Sequence, residues 1–173
     1  MPLIKHRHIV VDTWQQIDDD APIPPDGGAI VSLDRWLAER DTLIGRNAPL
    51  GVRLNSSQSP QAIAEDLGRL ALVALDFPHF KDGRAYSSAR LLRERHHFTG
   101  EVRAVGNVLR DQLAFMARCG FDAFEYVGRT AAEEALKAFN EVDVVYQTAA
   151  DRRRSAASQR NDISDVFMNG TCG

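Results

Sequence analysis

The sequence predicts an α/β fold in which short parallel strands alternate with helices. The chain has 173 residues, of which 44% are hydrophobic and 26% charged, as expected for one ordinary globular domain. Short apolar runs alternate along it with segments of helical periodicity. Runs that begin near residues 51, 72, 101, 122 and 142 are separated by 21, 29, 21 and 20 residues. Such spacing is typical of strand-plus-helix units and therefore of a parallel sheet.

The chain divides into three predicted parts. Residues 1–28 form an N-terminal β-hairpin, in which Leu3-Ile4 would pair with Ile9–Val11, followed by a linker rich in Asp, Pro and Gly. Residues 29–148 form the βα-repeat domain. Residues 149–173 lose the periodicity and are predicted to be a flexible C-terminal tail, whose arginine run we interpret as solvated.

Within the repeat domain, strands and helices are predicted in alternation. The strands are the short apolar runs at residues 29–32, 51–54, 72–77, 101–106, 123–127 and 142–147. The helices are the segments of helical periodicity at residues 33–44, 59–70, 87–97, 108–119 and 130–140. Ser59 before Pro60 is a typical helix start, Gly120 a typical helix end, and Thr130 with Glu133 a capping box.

Four successive strands each carry one charged residue, although strands of a parallel sheet covered on both faces are nearly all apolar. These residues are Arg53, Asp76, Arg103 and Glu125. Side chains alternate between the two faces of a strand, so Arg103 shares a face with Val105. A buried ion costs several kcal/mol unless it is paired. We therefore expect these charges to pair with one another or to line a polar site.

A row of alternating charges on one sheet face is typical of the interior or mouth of a (βα) barrel. A doubly wound sheet more often keeps its charges at the strand ends. The sequence therefore favours a TIM-like partial (βα) barrel over a flavodoxin-like doubly wound sheet. Because six strands are too few to close an eight-stranded barrel, a cover is expected from the N-terminal segment or from a second subunit of a homo-oligomer.

In either architecture the functional residues lie at the carboxyl ends of the parallel strands. The richest of these ends is the segment FPHFKDGR at residues 77–84, in which two aromatic rings surround a turn. The turn signal is Asp82-Gly83, and it carries Arg84 into the first turn of the next helix. The segment suits a site that removes water from a small polar ligand. Alternatively, the rings close the barrel mouth and Arg84 pairs with Asp82.

The candidate site combines guanidinium groups with carboxylates. Arginine matches oxyanions such as carboxylate, phosphate or sulfite, and Arg84, Arg103 and Arg110 could converge at the strand ends. Alternatively, these arginines pair internally with Asp76, Asp82 and Asp111. The predicted catalytic residues are Asp76 or Asp82 as general base, Tyr86 as an orienting hydroxyl, and Arg103. The predicted substrate-binding residues are Arg84, Arg110, Asp111, Asn55 and Phe80.

Composition and motifs argue against several classes of function and localisation. The net charge of −3 gives no basic field that would recruit nucleic acid or an anionic membrane. No apolar run is long enough to span a bilayer, the N-terminus is too polar for a secretory signal, and a cytoplasmic protein is expected. Cys119 is expected to be a buried structural cysteine. The sequence predicts no metal site and contains no recognised nucleotide, nicotinamide or cluster motif, so the cofactor stays unknown.

Residues 77–124 contain the pieces FP-x-F-x-DGR-x-YS-x-AR, GE-x-RA-x-G and DQL…RCGFD. With them the chain resembles, from about residue 2 to residue 148, a bacterial domain-of-unknown-function family (number 934). Members are often named as oxidoreductases of sulfite reduction, because their genes neighbour that of the sulfite reductase haemoprotein. The family motif includes seven residues, most of them already selected at the strand ends: Asp82, Arg84, Tyr86, Arg90, Arg103, Asp111 and Gln112.

The resemblance implies a role in sulfur assimilation, and two hypotheses follow. In the first, the chain is an enzyme-like protein whose arginine-rich site binds a sulfur oxyanion or a phosphorylated metabolite. In the second, it is a non-catalytic accessory protein that docks on the sulfite reductase haemoprotein, or on itself, through residues 77–80 and 87–97.

Overall fold

Eight strands form one mixed, mostly parallel, curled sheet in the computed structural model, which describes residues 2–79 and 81–140. The strands are β1 (Leu3–Lys5), β2 (His8–Val10), β3 (Trp14–Gln16), β4 (Gly28–Ser32), β5 (Leu50–Leu54), β6 (Leu72–Phe77), β7 (Glu101–Gly106) and β8 (Ala123–Glu125). Their order in the sheet is β2-β1-β8-β7-β6-β5-β4-β3. Strands β3 to β8 are parallel, and β1 is antiparallel to both β2 and β8. The predicted α/β class and N-terminal hairpin are confirmed.

A helical segment follows each of the strands β4 to β8. These segments are α1 (Leu33–Ile44), a 3₁₀ helix (Pro60–Arg69), α2 (Arg84–Arg90) with a π-helical turn (Leu91–Arg95), α3 (Leu113–Cys119) after a 3₁₀ turn (Arg110–Gln112), and α4 (Ala132–Leu136) with a 3₁₀ turn (Lys137–Asn140). Ser32 caps α1 by accepting a hydrogen bond from the Arg35 backbone N–H. Among the described residues, no helix is both long and apolar enough to cross a membrane.

Some local predictions were wrong. The capping box at Thr130 does not form, because the Thr130 hydroxyl hydrogen-bonds with the Tyr126 hydroxyl at 2.6 Å and Ala131 is the N-cap of α4. The helix predicted from residue 59 is capped by Ser59 as expected, but it is 3₁₀ rather than α. The predicted strand at residues 142–147 and the predicted tail lie outside the described residues.

The strand order gives the sheet two different faces. From β3 to β8 each strand lies beside the next in sequence, and right-handed crossovers then place the connecting helices on one face. The main core lies between that face and the helices and includes Val31, Val52, Val73 and Val102, with Trp36 of α1 fully buried. The opposite, concave face carries the alternate residues of each strand and has a small apolar centre at Ile30, Leu72, Ala74 and Val105.

The two edges of the sheet are joined by a very short connection. Strands β2 and β3 lie at opposite edges, yet only residues 11–13 separate them in sequence. From Val10 to Trp14 the chain can span at most about 15 Å. A flat sheet would hold these edges about 34 Å apart, since neighbouring strands lie roughly 4.8 Å apart. The sheet therefore curls into a half-barrel, and residues 8–16 cross from one edge to the other.

Candidate functional site

Arg103, in the middle of β7, is the centre of an ion network on the concave face. Its side chain is 1% exposed and contacts three carboxylates. Nε donates to Glu101 at 2.7 Å, Nη1 and Nη2 donate to both oxygens of Asp12 at 2.7 and 3.1 Å, and Nη1 reaches Glu125 at 3.4 Å. Lys5 of β1 adds a 2.7 Å ion pair to Glu101. Two of the four predicted strand charges, Arg103 and Glu125, thus pair with each other, which is one of the two predicted arrangements, although the shorter contacts of Arg103 are to Asp12 and Glu101.

The network keeps the Arg103 guanidinium charged. Burial lowers its pKa, but the hydrogen bond to Asp12 and the charge of Glu101 outweigh burial, so the pKa of Arg103 is raised. An added oxyanion would have to displace one of the three carboxylates. Arg84 hydrogen-bonds to Asp82 and Ser56 instead, so these contacts give the two arginines no partner in common.

A second ion pair of the concave face joins β5 to β6. Arg53 Nη2 donates to Asp76 Oδ2 at 2.9 Å. Gly106, at the end of β7, lies directly against this pair with a φ of +87°. A Cβ at residue 106 would lie 2.6 Å from Asp76 Oδ1, so a side chain there would push the carboxylate away. The sequence prediction missed this role, although a glycine at a strand end is a signal of close approach.

Asp82, Arg84 and Ser56 form a hydrogen-bonded cluster at the carboxyl ends of β5 and β6. The Asp82-Gly83 turn starts α2 at Arg84, as predicted. Arg84 Nε and Nη2 donate to the two oxygens of Asp82 at 2.9 and 2.6 Å, and Nη2 also reaches Ser56 Oγ at 3.0 Å. The Arg84 hydrogen bonds hold the pKa of Asp82 well below its usual range. Asp82 is therefore ionised and a weak base at neutral pH, better suited to orienting Arg84.

A cleft of about 270 Å³ opens at the carboxyl ends of β3, β4 and β5. Its wall consists of polar residues around one buried isoleucine: Gln16, Ile17, Asp18, Asp19, Ser32, Asp34, Arg53, Asn55 and Gln58. We call it the carboxyl-end cleft. Of these residues only Asn55 was predicted as a site residue. The wall residues at positions 16–19 were missed because β3, which forms one wall, was not predicted.

Side-chain hydrogen bonds order the wall of this cleft. Ser32 Oγ donates to Asp19 Oδ1 at 2.6 Å, and Gln58 Nε2 donates to Asp34 Oδ1 at 3.2 Å. The Asn55 backbone N–H in turn donates to Gln58 Oε1 at 2.9 Å. The cleft therefore presents both hydrogen-bond donors and carboxylate acceptors to a ligand.

The remaining predicted site residues lie elsewhere. Tyr86 belongs to an aromatic cluster, with ring centroids 5.1 Å from Phe77 and 5.0 Å from Phe115. Burial raises the pKa of the Tyr86 phenol, and the nearby charge of Asp111 adds to the shift, so the hydroxyl stays protonated at neutral pH. Arg110 is half-buried and Asp111 is exposed in the turn before α3. Phe80 lies outside the described residues.

The described residues contain one cysteine and no cluster of metal-ligating side chains. Cys119 is buried at the end of α3, as predicted. Across residues 2–79 and 81–140, no group of three or more His, Cys, Asp or Glu side chains could hold a metal ion.

A comparison with protein families gives a match over much of the chain. The family model described as "Bacterial protein of unknown function (DUF934)" matches residues 51–157, more than half of the chain. The matched region includes strands β6 to β8, all of β5 except Leu50, and the ion pairs of Arg53 and Arg84. No curated protein and no solved structure matches the chain.

Proposed function

The chain belongs to this bacterial family of unknown function, and from that premise we propose that it binds a small oxyanion at the carboxyl ends of its strands. One observation carries the proposal: Arg53 and Arg84 both lie at this edge of the sheet, each oriented by one aspartate. Ser56, three residues after Arg53, accepts a hydrogen bond from Arg84, so one short segment connects the two guanidinium groups.

The proposed scaffold is a TIM-like partial (βα) barrel. The strand order from β3 to β8 follows the sequence without a reversal, whereas a flavodoxin-like sheet reverses its order at a switch point. Barrels of this kind place their ligand sites at the carboxyl ends of the strands. The position of Arg53, Asn55, Asp76 and Arg84 agrees with this rule.

The proposed chemistry is recognition of a planar or tetrahedral oxyanion by guanidinium groups. Asp82 engages Nε and Nη2 of Arg84, which fixes the plane of the guanidinium. Asp76, fixed between Arg53 and Gly106, is the candidate general base in place of Asp82. Sulfite or another sulfur oxyanion is the first ligand to test, since the resemblance implies a role in sulfur assimilation beside sulfite reductase.

Thermal unfolding in the presence of sulfite, sulfate or phosphate tests the proposal. A ligand at 100 times its Kd stabilises the folded state by about 2.7 kcal/mol, which raises Tm by roughly 5–10 °C for a chain of this size. Arg84→Ala is expected to abolish the rise. Arg90→Ala is the matched control, because Arg90 lies on the same helix in an exposed pair with Glu94. The absence of a rise in the wild-type protein, or an equal rise in Arg84→Ala, contradicts the proposal.

A non-catalytic accessory role is the second candidate, in which the chain docks on the sulfite reductase haemoprotein. Phe115 of α3 favours it: the ring is 54% exposed and packs against Tyr86 of the neighbouring α2. An exposed aromatic ring of this kind is a frequent anchor of protein interfaces.

A binding assay with the purified haemoprotein separates the two candidates. The accessory role predicts a complex that Phe115→Ala weakens and Leu37→Ala, an exposed apolar residue of α1, does not. If no complex forms at low or moderate salt, the accessory role is rejected.

A further inference from the structure

We propose that the carboxyl-end cleft binds an ammonium group, so that its ligand is a small, amine-bearing polar molecule of the size of an amino acid. The cleft shares Arg53 with the proposed oxyanion site, but its aspartates and its ligand class go beyond the oxyanion proposal. The inference does not depend on Arg84, which is not part of the cleft wall.

The inference begins with the cavity and its place in the fold. Volume of about 270 Å³ is available where three parallel strands end, which is the position at which open and barrel-like parallel sheets bind their ligands. Such a volume accommodates a small metabolite. The wall is formed by segments that are far apart in sequence, namely residues 16–19, 32–34 and 53–58.

The charge of the wall selects the class of ligand. Asp18, Asp19 and Asp34 contribute three carboxylates, and Arg53 is the one cation among the wall residues. Arg53 is in turn paired with Asp76 at 2.9 Å. The wall therefore carries two net negative charges even before Asp76 is counted. A cationic group on the ligand lowers this repulsion, whereas an anion held by the wall alone, without Arg84 of the proposed oxyanion site, would increase it.

The hydrogen bonds of the wall fit the same ligand. Asp19 and Asp34 each receive one hydrogen bond at Oδ1, from Ser32 and Gln58. Over the described part of the chain no hydrogen bond to the Oδ2 of either carboxylate is found, so these oxygens can accept from an ammonium group.

The uncharged part of the wall adds selectivity. The side-chain amides of Gln16, Asn55 and Gln58 can donate to and accept from a hydroxyl or carboxyl group of the ligand. Arg53 offers one cation at the side of the cleft nearest Asp76. A ligand that fits this wall places an ammonium group against the aspartates and a hydroxyl or carboxylate group against the amides and Arg53. Amino alcohols and amino acids carry both groups.

Nuclear magnetic resonance titration of the ¹⁵N-labelled full chain tests this inference with three probes. Ethanolamine, L-serine and glycolate all carry a hydroxyl but differ in charge: the first is cationic, the second zwitterionic and the third anionic. Ethanolamine and L-serine are expected to shift the side-chain amide resonances of Asn55 and Gln58 in a saturable way. Glycolate is expected to leave them in place.

A matched pair of variants identifies the carboxylates responsible. Asp34→Asn removes a wall charge near the start of α1 and is expected to weaken ethanolamine binding at least fivefold. Asp41→Asn changes an exposed aspartate two turns further along the same helix and is expected to bind like the wild type. Saturable amide shifts lost only in Asp34→Asn support the inference. Equal binding of glycolate, no response to either amine, or equal binding by both variants overturns it.

The same samples separate this inference from the oxyanion proposal. Sulfite binding that requires Arg84, without any response to the amines, overturns the cleft inference and leaves the proposed function standing. Amine binding that requires Asp34, without any response to sulfite, does the reverse.

Discussion

At the scale of single residues, Arg103 shows how the protein accommodates a buried charge. A cation in a strand of a sheet core is costly unless its hydrogen bonds are satisfied. Its guanidinium donates to Asp12, Glu101 and Glu125, and Lys5 of β1, two strands away in the sheet, forms an ion pair with Glu101. The residue is therefore required for stability whatever its role toward a ligand.

Replacing Arg103 by Met is expected to lower the free energy of unfolding by about 3–5 kcal/mol. The change removes the cation while three carboxylates remain in place, which costs far more than the loss of an exposed pair. Urea denaturation measures the effect. Arg90→Met breaks an exposed pair with Glu94 and should cost less than about 1 kcal/mol. A loss in Arg103→Met as small as that of the control would show that the network contributes little.

The sequence allowed part of this residue-scale chemistry to be predicted. Alternation along β6 and β7 placed Asp76 and Arg103 on one face, because side-chain direction is a local property of a strand. The partner Asp12 could not be predicted, since it lies 91 residues away from Arg103 in sequence. Arg84 was placed at a helix start by its Asp-Gly turn, again a local signal.

At the scale of elements, the segment formed by residues 8–16 determines how far the sheet curls. Its first part pairs with β1 and its last part with β4, and residues 11–13 between them have no strand partner. Val11 is exposed, whereas the Asp12 carboxylate bonds to the buried Arg103. Asp12 therefore fastens the middle of this segment to the sheet.

Asp12→Asn is expected to loosen this segment while the rest of the sheet stays folded. An amide cannot accept two charge-assisted hydrogen bonds from the guanidinium as a carboxylate does. Hydrogen–deuterium exchange should show at least tenfold faster exchange of the backbone amides of β3, with β6 unchanged. Asp20→Asn, an exposed change in the same N-terminal region, is the control. Unchanged exchange in β3 would mean that strand pairing alone fastens the segment.

The elements themselves were predicted unevenly. Strands β6 and β7 and helix α1 match the predicted ranges, since long apolar runs and helical periodicity are strong local signals. Strand β3 was missed because three residues, Trp14–Gln16, give too short a pattern. It forms by pairing with β4, and the part of the carboxyl-end cleft that β3 forms was missed with it.

At the scale of the whole molecule, carboxylates with opposite pKa shifts set the dependence of stability on pH. Hydrogen bonds from Arg84 lower the pKa of Asp82, and a hydrogen bond from Arg40 lowers that of Asp66. A carboxyl group whose pKa is lower in the folded protein than in the unfolded chain stabilises the fold at pH values above its unfolded pKa of about 4. This stabilisation is lost as the pH falls through the folded-state pKa. Burial instead raises the pKa of Asp122. Its contribution to the stability of the fold is therefore present below its unfolded pKa of about 4 and is lost as the pH rises through the folded-state pKa.

Asp66 gives the clearest test of this linkage, because it joins the 3₁₀ helix to α1 on the outer layer. The carboxylate is buried and accepts from Arg40 Nε at 2.8 Å and from Trp36 Nε1 at 3.2 Å. Asp66→Asn is expected to lower the free energy of unfolding at pH 7 by about 1–3 kcal/mol. The deficit should shrink as pH falls below about 4, since protonation removes the same charge from the wild-type protein.

Urea denaturation of the wild type, Asp66→Asn and Glu65→Gln at a series of pH values between 7 and 3 measures this convergence. Glu65 is the exposed neighbour of Asp66 in the 3₁₀ helix, so its neutral variant should follow the wild type at every pH. A deficit in Asp66→Asn that stays constant from pH 7 to pH 3 would mean that the side-chain shape, and not the charge paired with Arg40, stabilises the contact between the two helices. Convergence would assign acid destabilisation of the molecule in part to this one ion pair.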